Sequence, residues 1–241
     1  MNTDSLGDRM KRYEAVTQLQ LNPRSCVIVR VDGRAFHSLT KTLNRPFDKT
    51  FMTAMDLSAM KTADEMQGCK VAYVQSDEVS FLLTDFDNLD TQGWFGYNLQ
   101  KMVSISASAM TKYFNSLLST NPSEQYRYIS GMFDSRAFVL PDDEVSNYFL
   151  WRIQDCERNS VQQYAQSFFS HKELMNKTIP NIHEMLHRIG KNWTNDLTSR
   201  EKNGTIIVKP FKSVLGDGFN GRPVYEEVNR IIEPLIVRGR Q

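Results

Sequence analysis

The stretch KVAYVQSDEVSFLL, residues 70–83, contains two runs of β-branched and aromatic residues separated by Ser76, Asp77 and Glu78. Two such runs around a short polar tip predict an antiparallel β-hairpin. The tip carries two adjacent carboxylates, although both flanking strands are apolar enough to be buried. Acids at the ends of buried strands are where binding sites are often built, so the hairpin tip is a candidate site.

Further strands and helices flank this hairpin in an order that defines a fold class. Residues 25–33 and 133–141 have the composition of strands, and residues 47–67 and 98–118 have the spacing of helices. The order strand, helix, strand, strand, helix, strand (βαββαβ) is the ferredoxin-like arrangement, an antiparallel sheet with both helices on one face. The sequence therefore predicts an α+β fold.

The rest of the chain is predicted to be mainly helical, with a short strand at 205–209. A first helix is predicted at 8–21, before the core. No Pro-, Gly- or Ser-rich linker is visible, so we expect the C-terminal part to pack on the core. The predicted division is a core with its N-terminal helix at 1–141 and a helical part at 142–241, or one single domain.

Composition excludes few functions. Lys and Arg number 29 against 28 Asp and Glu, so a nucleic-acid surface would have to be a local patch. Cys26, Cys69 and Cys156 lie far apart without CxxC spacing, which favours reduced core thiols over a zinc site. The charged N-terminus is unlike a signal peptide, and no apolar run approaches the roughly 20 residues of a membrane span. We expect a soluble, cytoplasmic protein without a membrane partner.

The predicted topology brings two acids together. Strands one and three are neighbours in a ferredoxin-like sheet, so Asp32, at the end of strand one, would lie beside Asp77. Hard divalent cations prefer carboxylate and carbonyl oxygens, and Gly33 leaves its own carbonyl unobstructed. Two metals about 3.5–4 Å apart can activate a hydroxyl and stabilise a leaving pyrophosphate. The pair favours nucleotidyl transfer, although each acid taken alone is also typical of an ordinary turn.

Four ordered motifs also resemble a known family. VIVRVDGRAFH (27–37), VAYVQSDEVSFLL (71–83), FDSRAFVLP (133–141) and NYFLWRIQDC (147–156) resemble the tRNA-histidine guanylyltransferases, which are 3′-to-5′ nucleotide-adding polymerases. The resemblance implies a palm-like core related to polymerase and nucleotidyl cyclase palms, two Mg²⁺ ions, and GTP or ATP as nucleotide substrates. It also implies tRNA as the acceptor and, commonly, a homotetramer.

The resemblance implies a role for each motif residue. Asp32 and Asp77 would be the catalytic metal-binding carboxylates, with the Gly33 carbonyl as a further metal ligand. The nucleotide would lie against the residues after Asp32 and against the hairpin tip. The implied nucleotide-binding residues are Asp32, Gly33, Arg34, Ala35, Phe36, His37, Ser76, Asp77 and Arg136.

Three further side chains keep two interpretations each. Arg136 binds a phosphate through two hydrogen bonds from its guanidinium group, or it forms a surface ion pair. His37 contacts a phosphate, or it is an ordinary residue at a helix start. Glu78 is a site carboxylate, or it points along the opposite face of its strand from Asp77 and holds a basic neighbour.

One family motif is changed in this chain. Eukaryotic members carry HINNLYN after the motif that here reads WRIQDC, whereas this chain reads ERNSVQQ at 157–163. The change is typical of the bacterial and archaeal-type branch. For that branch the resemblance implies template-dependent repair of 5′-truncated tRNA more than addition of one G to tRNA-His.

Two other function classes stay open at this point. His183, Glu184 and His187 form a formal HExxH pattern, which in zinc proteases places two histidines one helical turn apart. The extended zinc-protease pattern requires a third His at the position where this chain has Trp193. An ordinary amphipathic helix is therefore favoured over a zinc site. A non-catalytic RNA-binding relative is the second alternative, and retention of both site aspartates argues against it.

Overall fold

The computed structural model describes residues 5–209, 212–213 and 224–236, so the ends of the predicted N- and C-terminal parts lie outside the described residues. The strands are β1 Cys26–Gly33, β2 Cys69–Gln75, β3 Glu78–Leu83, β4 Phe133–Leu140, β5 Thr205–Val208 and β6 Lys212–Ser213. The helices are α1 Leu6–Ala15, α2 Phe36–Leu39, α3 Lys49–Glu65, α4 Leu99–Ser119, α5 Glu124–Arg127, α6 Val145–Ala165, α7 His171–Leu174, α8 Ile179–Arg188, α9 Trp193–Asp196, α10 Ser199–Asn203 and α11 Tyr225–Ile236.

The described strands form one sheet in the order β4-β1-β3-β2-β5-β6, and all neighbours are antiparallel. The first four positions are the ferredoxin-like order, so the predicted βαββαβ core is confirmed. β5 pairs with the outer edge of β2. The sequence predicted this strand but not its position in the sheet.

The helices α3 and α4 cover one face of this sheet. Alternate residues of β1, such as Val27, Val29 and Val31, point into that layer and are at most 1% exposed. Asp48 caps the start of α3 by accepting a hydrogen bond from the Phe51 N–H at 2.9 Å. These contacts fix the first core layer.

The helices α6 and α11 cover the opposite face. There Ile28, Tyr73 and Leu82 of the sheet are fully buried together with Phe149 of α6. Because both faces are covered, the strands are apolar at nearly every position rather than alternating with polar residues. This arrangement explains the continuous apolar runs seen in the sequence.

Two predicted boundaries are corrected by the structure. α1 ends at Ala15 rather than near 21, and none of its residues is buried. The hairpin turn consists of Ser76 and Asp77 alone, because Glu78 already pairs with Gln75 as the first residue of β3. Ser76 adopts a positive φ of 45°, the conformation that two-residue hairpin turns require.

The three cysteines are reduced thiols and all are buried, which confirms the prediction of core thiols. Burial raises the pKa of Cys69 to about 12 and that of Cys156 to about 11, so both thiols stay protonated near neutral pH. Among the described helices, none combines the length and apolar character needed to cross a membrane.

Candidate active site at the strand ends

Asp32 and Asp77 lie next to each other where β1 ends beside the hairpin turn. The Gly33 N–H donates a hydrogen bond to the Asp77 carbonyl at 3.0 Å. In the sheet register Asp32 lies directly opposite Glu78 of β3 on one side and Asp134 of β4 on the other. Directly opposite residues point to the same face, so these three carboxylates form a row. The charge of Asp32 also raises the pKa of Asp77, so the two residues lie close together, as the topology predicted.

The Asp77 carboxyl is in an unfavourable place for a negative charge. Burial raises its pKa, and the charges of Asp32 and Glu78 raise it further, while a hydrogen bond from the Ser76 hydroxyl at 2.9 Å opposes the rise. Neither Asp32 nor Asp77 forms an ion pair with a described basic side chain. A cation between the two carboxylates would relieve this repulsion.

Gly33 is required by the close approach of its neighbours. A β-carbon at this position would lie 2.8 Å from Asp77 Oδ2 and 2.4 Å from Cδ2 of Phe36. Any larger residue would therefore push on both the carboxylate and the aromatic ring. Glycine allows the end of β1, the hairpin turn and the following loop to meet at one point.

The loop after Gly33 is folded back by its own contacts. The Arg34 N–H donates to the Met132 carbonyl at 2.8 Å, so it is not available to a phosphate. Ala35 has a positive φ of 57° and turns the chain into α2. His37 is exposed, with Nε2 3.1 Å from the Ser38 hydroxyl.

Phe36 anchors the loop in the core next to the candidate site. Its ring is 3% exposed and packs against Phe51, Phe114 and Phe133 at centroid distances of 6.0, 5.4 and 5.0 Å. Phe36 also lines the cavity beside Asp77. Its contact with a nucleotide stays a prediction.

Glu78 forms an ion pair with a basic neighbour, as one of its two interpretations predicted. Arg152 of α6 donates from Nε to Oε1 at 2.8 Å and from Nη2 to Oε2 at 3.0 Å. Glu78 nevertheless lies on the same sheet face as Asp32, because the two residues are opposite in register. No local pattern pointed to Arg152 as this partner beyond its place in the WRIQDC motif.

Two arginines lie one step further along the same face. Arg30 of β1 is directly opposite Arg136 of β4. Arg136 forms an exposed ion pair with Asp134 at 3.4 Å, whereas Nε of Arg30 is buried and lacks a hydrogen-bond partner among the described residues. Like charges directly opposite each other are unfavourable unless an anion lies between them. Sequence reasoning missed both this pairing and Asp134.

Three adjoining cavities extend from Asp77 toward α6. They measure about 360, 260 and 70 Å³, and Phe51, Ser76 and Gln163 line all of them. The first cavity lies against Asp77 and His37, and the second extends along residues 43–48. The amide of Gln163 donates to the Pro46 carbonyl at 2.6 Å, which joins α6 to that segment.

Asp48 is a cavity residue that sequence reasoning missed. It lines the second and third cavities and is 5% exposed. Its carboxylate accepts hydrogen bonds from the Asn44 backbone at 3.1 Å and the Tyr126 hydroxyl at 2.8 Å, in addition to capping α3. The N-cap position of an aspartate before a helical pattern was the available signal.

The HExxH alternative finds no support in the geometry. His183 packs on the Trp193 ring at 5.6 Å, and Glu184 pairs with Arg188 at 2.5 Å along α8. In the part of the chain that the structure describes, no three His, Cys, Asp or Glu side chains are grouped to hold a metal. A cation at the aspartates would thus be held by two carboxylates and a carbonyl, with its other ligands from substrate.

Comparison with known proteins agrees with this geometry. Residues 7–141 match the family model described as tRNAHis guanylyltransferase. The tRNA(His) guanylyltransferase of Debaryomyces hansenii is 30% identical over 224 residues, covering 83% of this chain and 81% of that protein.

Two solved structures are also similar to this chain. A bacterial tRNA(His) guanylyltransferase-like protein in complex with ATP is 38% identical with a TM-score of 0.87, covering 96% of this chain and 99% of that chain. A bacterial tRNA(His) guanylyltransferase-like protein in complex with GTP is 37% identical with a TM-score of 0.78, at the same coverage. The chain belongs to the tRNAHis guanylyltransferase family of nucleotidyltransferases.

Proposed function

We propose that this protein adds nucleotides to the 5′ end of tRNA in the 3′-to-5′ direction, with the chemistry at Asp32 and Asp77. The observation that carries the proposal is the contact between the end of β1 and the hairpin turn, which brings Asp32 close to Asp77 at the rim of the first cavity. Family membership supports the reaction class. The similar bacterial structures in complex with ATP and GTP support a nucleoside triphosphate as substrate.

The two aspartates fit a divalent cation. Both lack a described ion-pair partner, and the pKa of Asp77 is raised by burial and by its acidic neighbours. Oxygen ligands of this kind suit Mg²⁺, which keeps positions open for phosphate oxygens. Asp32 would bind both ions, and Asp77 and the Gly33 carbonyl would complete the protein ligands. When bound, Mg²⁺ would polarise phosphorus–oxygen bonds and stabilise the leaving group.

The phosphates have two candidate partners in this chain. Residues 35–37 line the first cavity, and a run of backbone N–H groups next to a positive φ can bind an anion. Arg30 and Arg136 offer a second place, because they lie directly opposite each other in the sheet and Nε of Arg30 has no hydrogen-bond partner among the described residues. We assign the triphosphate of the nucleotide to the amides and the 5′-phosphate of the RNA to the arginine pair.

The reaction has two phosphoryl-transfer stages. In the first, the 5′-monophosphate of the RNA attacks the α-phosphorus of ATP or GTP and displaces pyrophosphate. In the second, the 3′-hydroxyl of an incoming nucleoside triphosphate attacks the 5′-phosphorus and displaces the nucleoside monophosphate. An RNA that arrives with a 5′-triphosphate enters at the second stage and loses pyrophosphate. Each stage needs an in-line nucleophile held against the same two carboxylates.

The changed motif supports repair as the role of this branch. ERNSVQQ lies in α6, and its Asn159, Ser160 and Gln163 line the cavity wall where the eukaryotic motif would be. We therefore propose template-dependent repair of 5′-truncated tRNA over addition of one G to tRNA-His. The homotetramer and the cytoplasmic location stay predictions.

A direct test incubates a panel of 5′-truncated tRNAs with each labelled nucleoside triphosphate and Mg²⁺. We expect template-matched incorporation at the 5′ end. The variants Asp32→Ala and Asp77→Ala should lose at least about 10³-fold, because metal stabilisation is worth several kcal/mol and about 1.4 kcal/mol is tenfold. Asp90→Ala, in the exposed loop after β3, is the matched control. Near-normal activity of either site variant would refute the metal assignment, and a wild type inactive on every tRNA would refute the function.

A further inference from the structure

Arg152 is held rigidly at the edge of the proposed metal site. Its guanidinium grips Glu78 with two hydrogen bonds of 2.8 and 3.0 Å, and the side chains are only 8% and 12% exposed. Nη2 also donates to Asp155 at 2.9 Å, and the Trp151 ring centroid lies 4.4 Å from the guanidinium carbon. These contacts fix the guanidinium, so Glu78 has one well-defined orientation.

Glu78 lies where a third carboxylate could enter the metal site. It is directly opposite Asp32 and follows Asp77 in the chain. The β-carbons of directly opposite residues are about 4.5–5.5 Å apart, which a glutamate side chain can span by rotation. Gln75 is its remaining polar contact, at 3.3 Å, and this neutral amide would not hold the carboxylate in place alone. Arg152 is therefore the contact that decides where Glu78 points.

We propose that Arg152 is a positioning residue that keeps Glu78 out of the divalent-cation site. The cation then meets only Asp32 and Asp77 and keeps open positions for phosphate oxygens. A third carboxylate would increase the affinity for the cation, since affinity rises with the charge of the ligands, but would occupy positions that the substrate needs. This inference rests on the proposed metal site and adds a role that the two aspartates do not supply.

The test measures Mn²⁺ binding by electron paramagnetic resonance, without nucleotide or RNA. In Arg152→Met the released Glu78 should make Mn²⁺ bind about tenfold tighter, because a further carboxylate close to a divalent ion contributes at least that much. The rate of nucleotide addition at saturating metal should fall. The double variant Arg152→Met/Glu78→Gln should return Mn²⁺ affinity to the wild-type value, because the added charge is gone.

Arg158→Met is a matched control for loss of an arginine on the same helix. Arg158 also pairs with Asp155, at 2.5 Å, but its side chain is 59% exposed and it does not contact Glu78. Its loss should leave Mn²⁺ affinity unchanged. A changed affinity in Arg158→Met equal to that in Arg152→Met would overturn the specific role of Arg152.

The remaining outcomes are equally decisive. A folded Arg152→Met variant whose Mn²⁺ affinity is unchanged or weaker overturns the inference. If that variant does not fold, Glu78→Gln decides instead: unchanged Mn²⁺ affinity supports the inference, and lost binding makes Glu78 a ligand and overturns it. A wild type that binds no Mn²⁺, or binds it equally well as Asp77→Asn, refutes the proposed metal site and with it this inference. That last failure appears without any change at Arg152 or Glu78, so it is distinguishable from a failure of the inference alone.

Discussion

Replacing Gly33 by alanine should damage both stability and activity, through contacts that the structure defines. The new β-carbon would lie 2.4 Å from Cδ2 and 2.7 Å from Cγ of Phe36, and 2.8 Å from Asp77 Oδ2. The φ of Gly33 is outside the left-handed region, so the cost is steric rather than conformational. Phe36 cannot move easily because its ring is locked among three other phenylalanines. Overpacking of this kind costs about 1–3 kcal/mol.

Urea unfolding measures this cost directly, and thermal unfolding should shift by about 2–4 °C per kcal/mol for a chain of this size. Nucleotide addition should fall further than stability alone explains, because the new β-carbon displaces the Asp77 carboxylate from its place beside residue 33. Adding Phe36→Leu to the variant should recover part of the stability but not the activity. Gly7→Ala is the control: its β-carbon meets only the Ser5 hydroxyl at 3.8 Å, in an exposed helix. Wild-type stability and full activity of Gly33→Ala would refute the close approach.

Three further predictions concern the charges and thiols of the chain. The folded-state pKa of Asp77 is raised above its ordinary value of 3.8. The free energy of unfolding of the wild type therefore falls as pH rises from the ordinary pKa through the folded-state pKa. In EDTA, Asp77→Asn should have a larger free energy of unfolding than the wild type near about pH 7 and the same value below about pH 3. Equal stability at both pH values would contradict this. Cys26, Cys69 and Cys156 should react with Ellman's reagent only after unfolding, since all are buried; rapid labelling of the native protein would be the opposing result. Protein purified without a His tag should contain no stoichiometric zinc, and His187→Ala should leave its metal content unchanged; one zinc per chain would restore the protease alternative.

Much of the fold was predictable because its signals are local. The hairpin at 69–83 follows from two apolar runs around a polar tip, and the periods of strands and helices give the βαββαβ order. The meeting of Asp32 and Asp77 followed from topology alone, because strands one and three are neighbours in this arrangement. The pairing of β1 with β3 places Asp32 beside the hairpin turn, so this prediction did not depend on side-chain packing.

At the site, what the sequence did not predict depends on side-chain direction or on distant contacts. Phe36 stands in a motif that resembles a nucleotide loop, yet its ring points inward because three aromatic partners from separate elements surround it. Arg152 reaches Glu78 across 74 positions of sequence, and only the docking of α6 on the sheet makes that contact. Asp48 and Gln163 became cavity residues by the same docking.

The sequence by itself determined the strand and helix order, the family, and the two aspartates that meet at the ends of β1 and the hairpin turn. These follow from residue periodicity and from motifs of contiguous residues. Only the tertiary structure decided which charges remain without a partner. Asp32 and Asp77 stay unpaired among the described residues, whereas Glu78 is neutralised by Arg152. The reason is physical: an ion pair depends on distances of a few ångströms between remote segments, which no local pattern records.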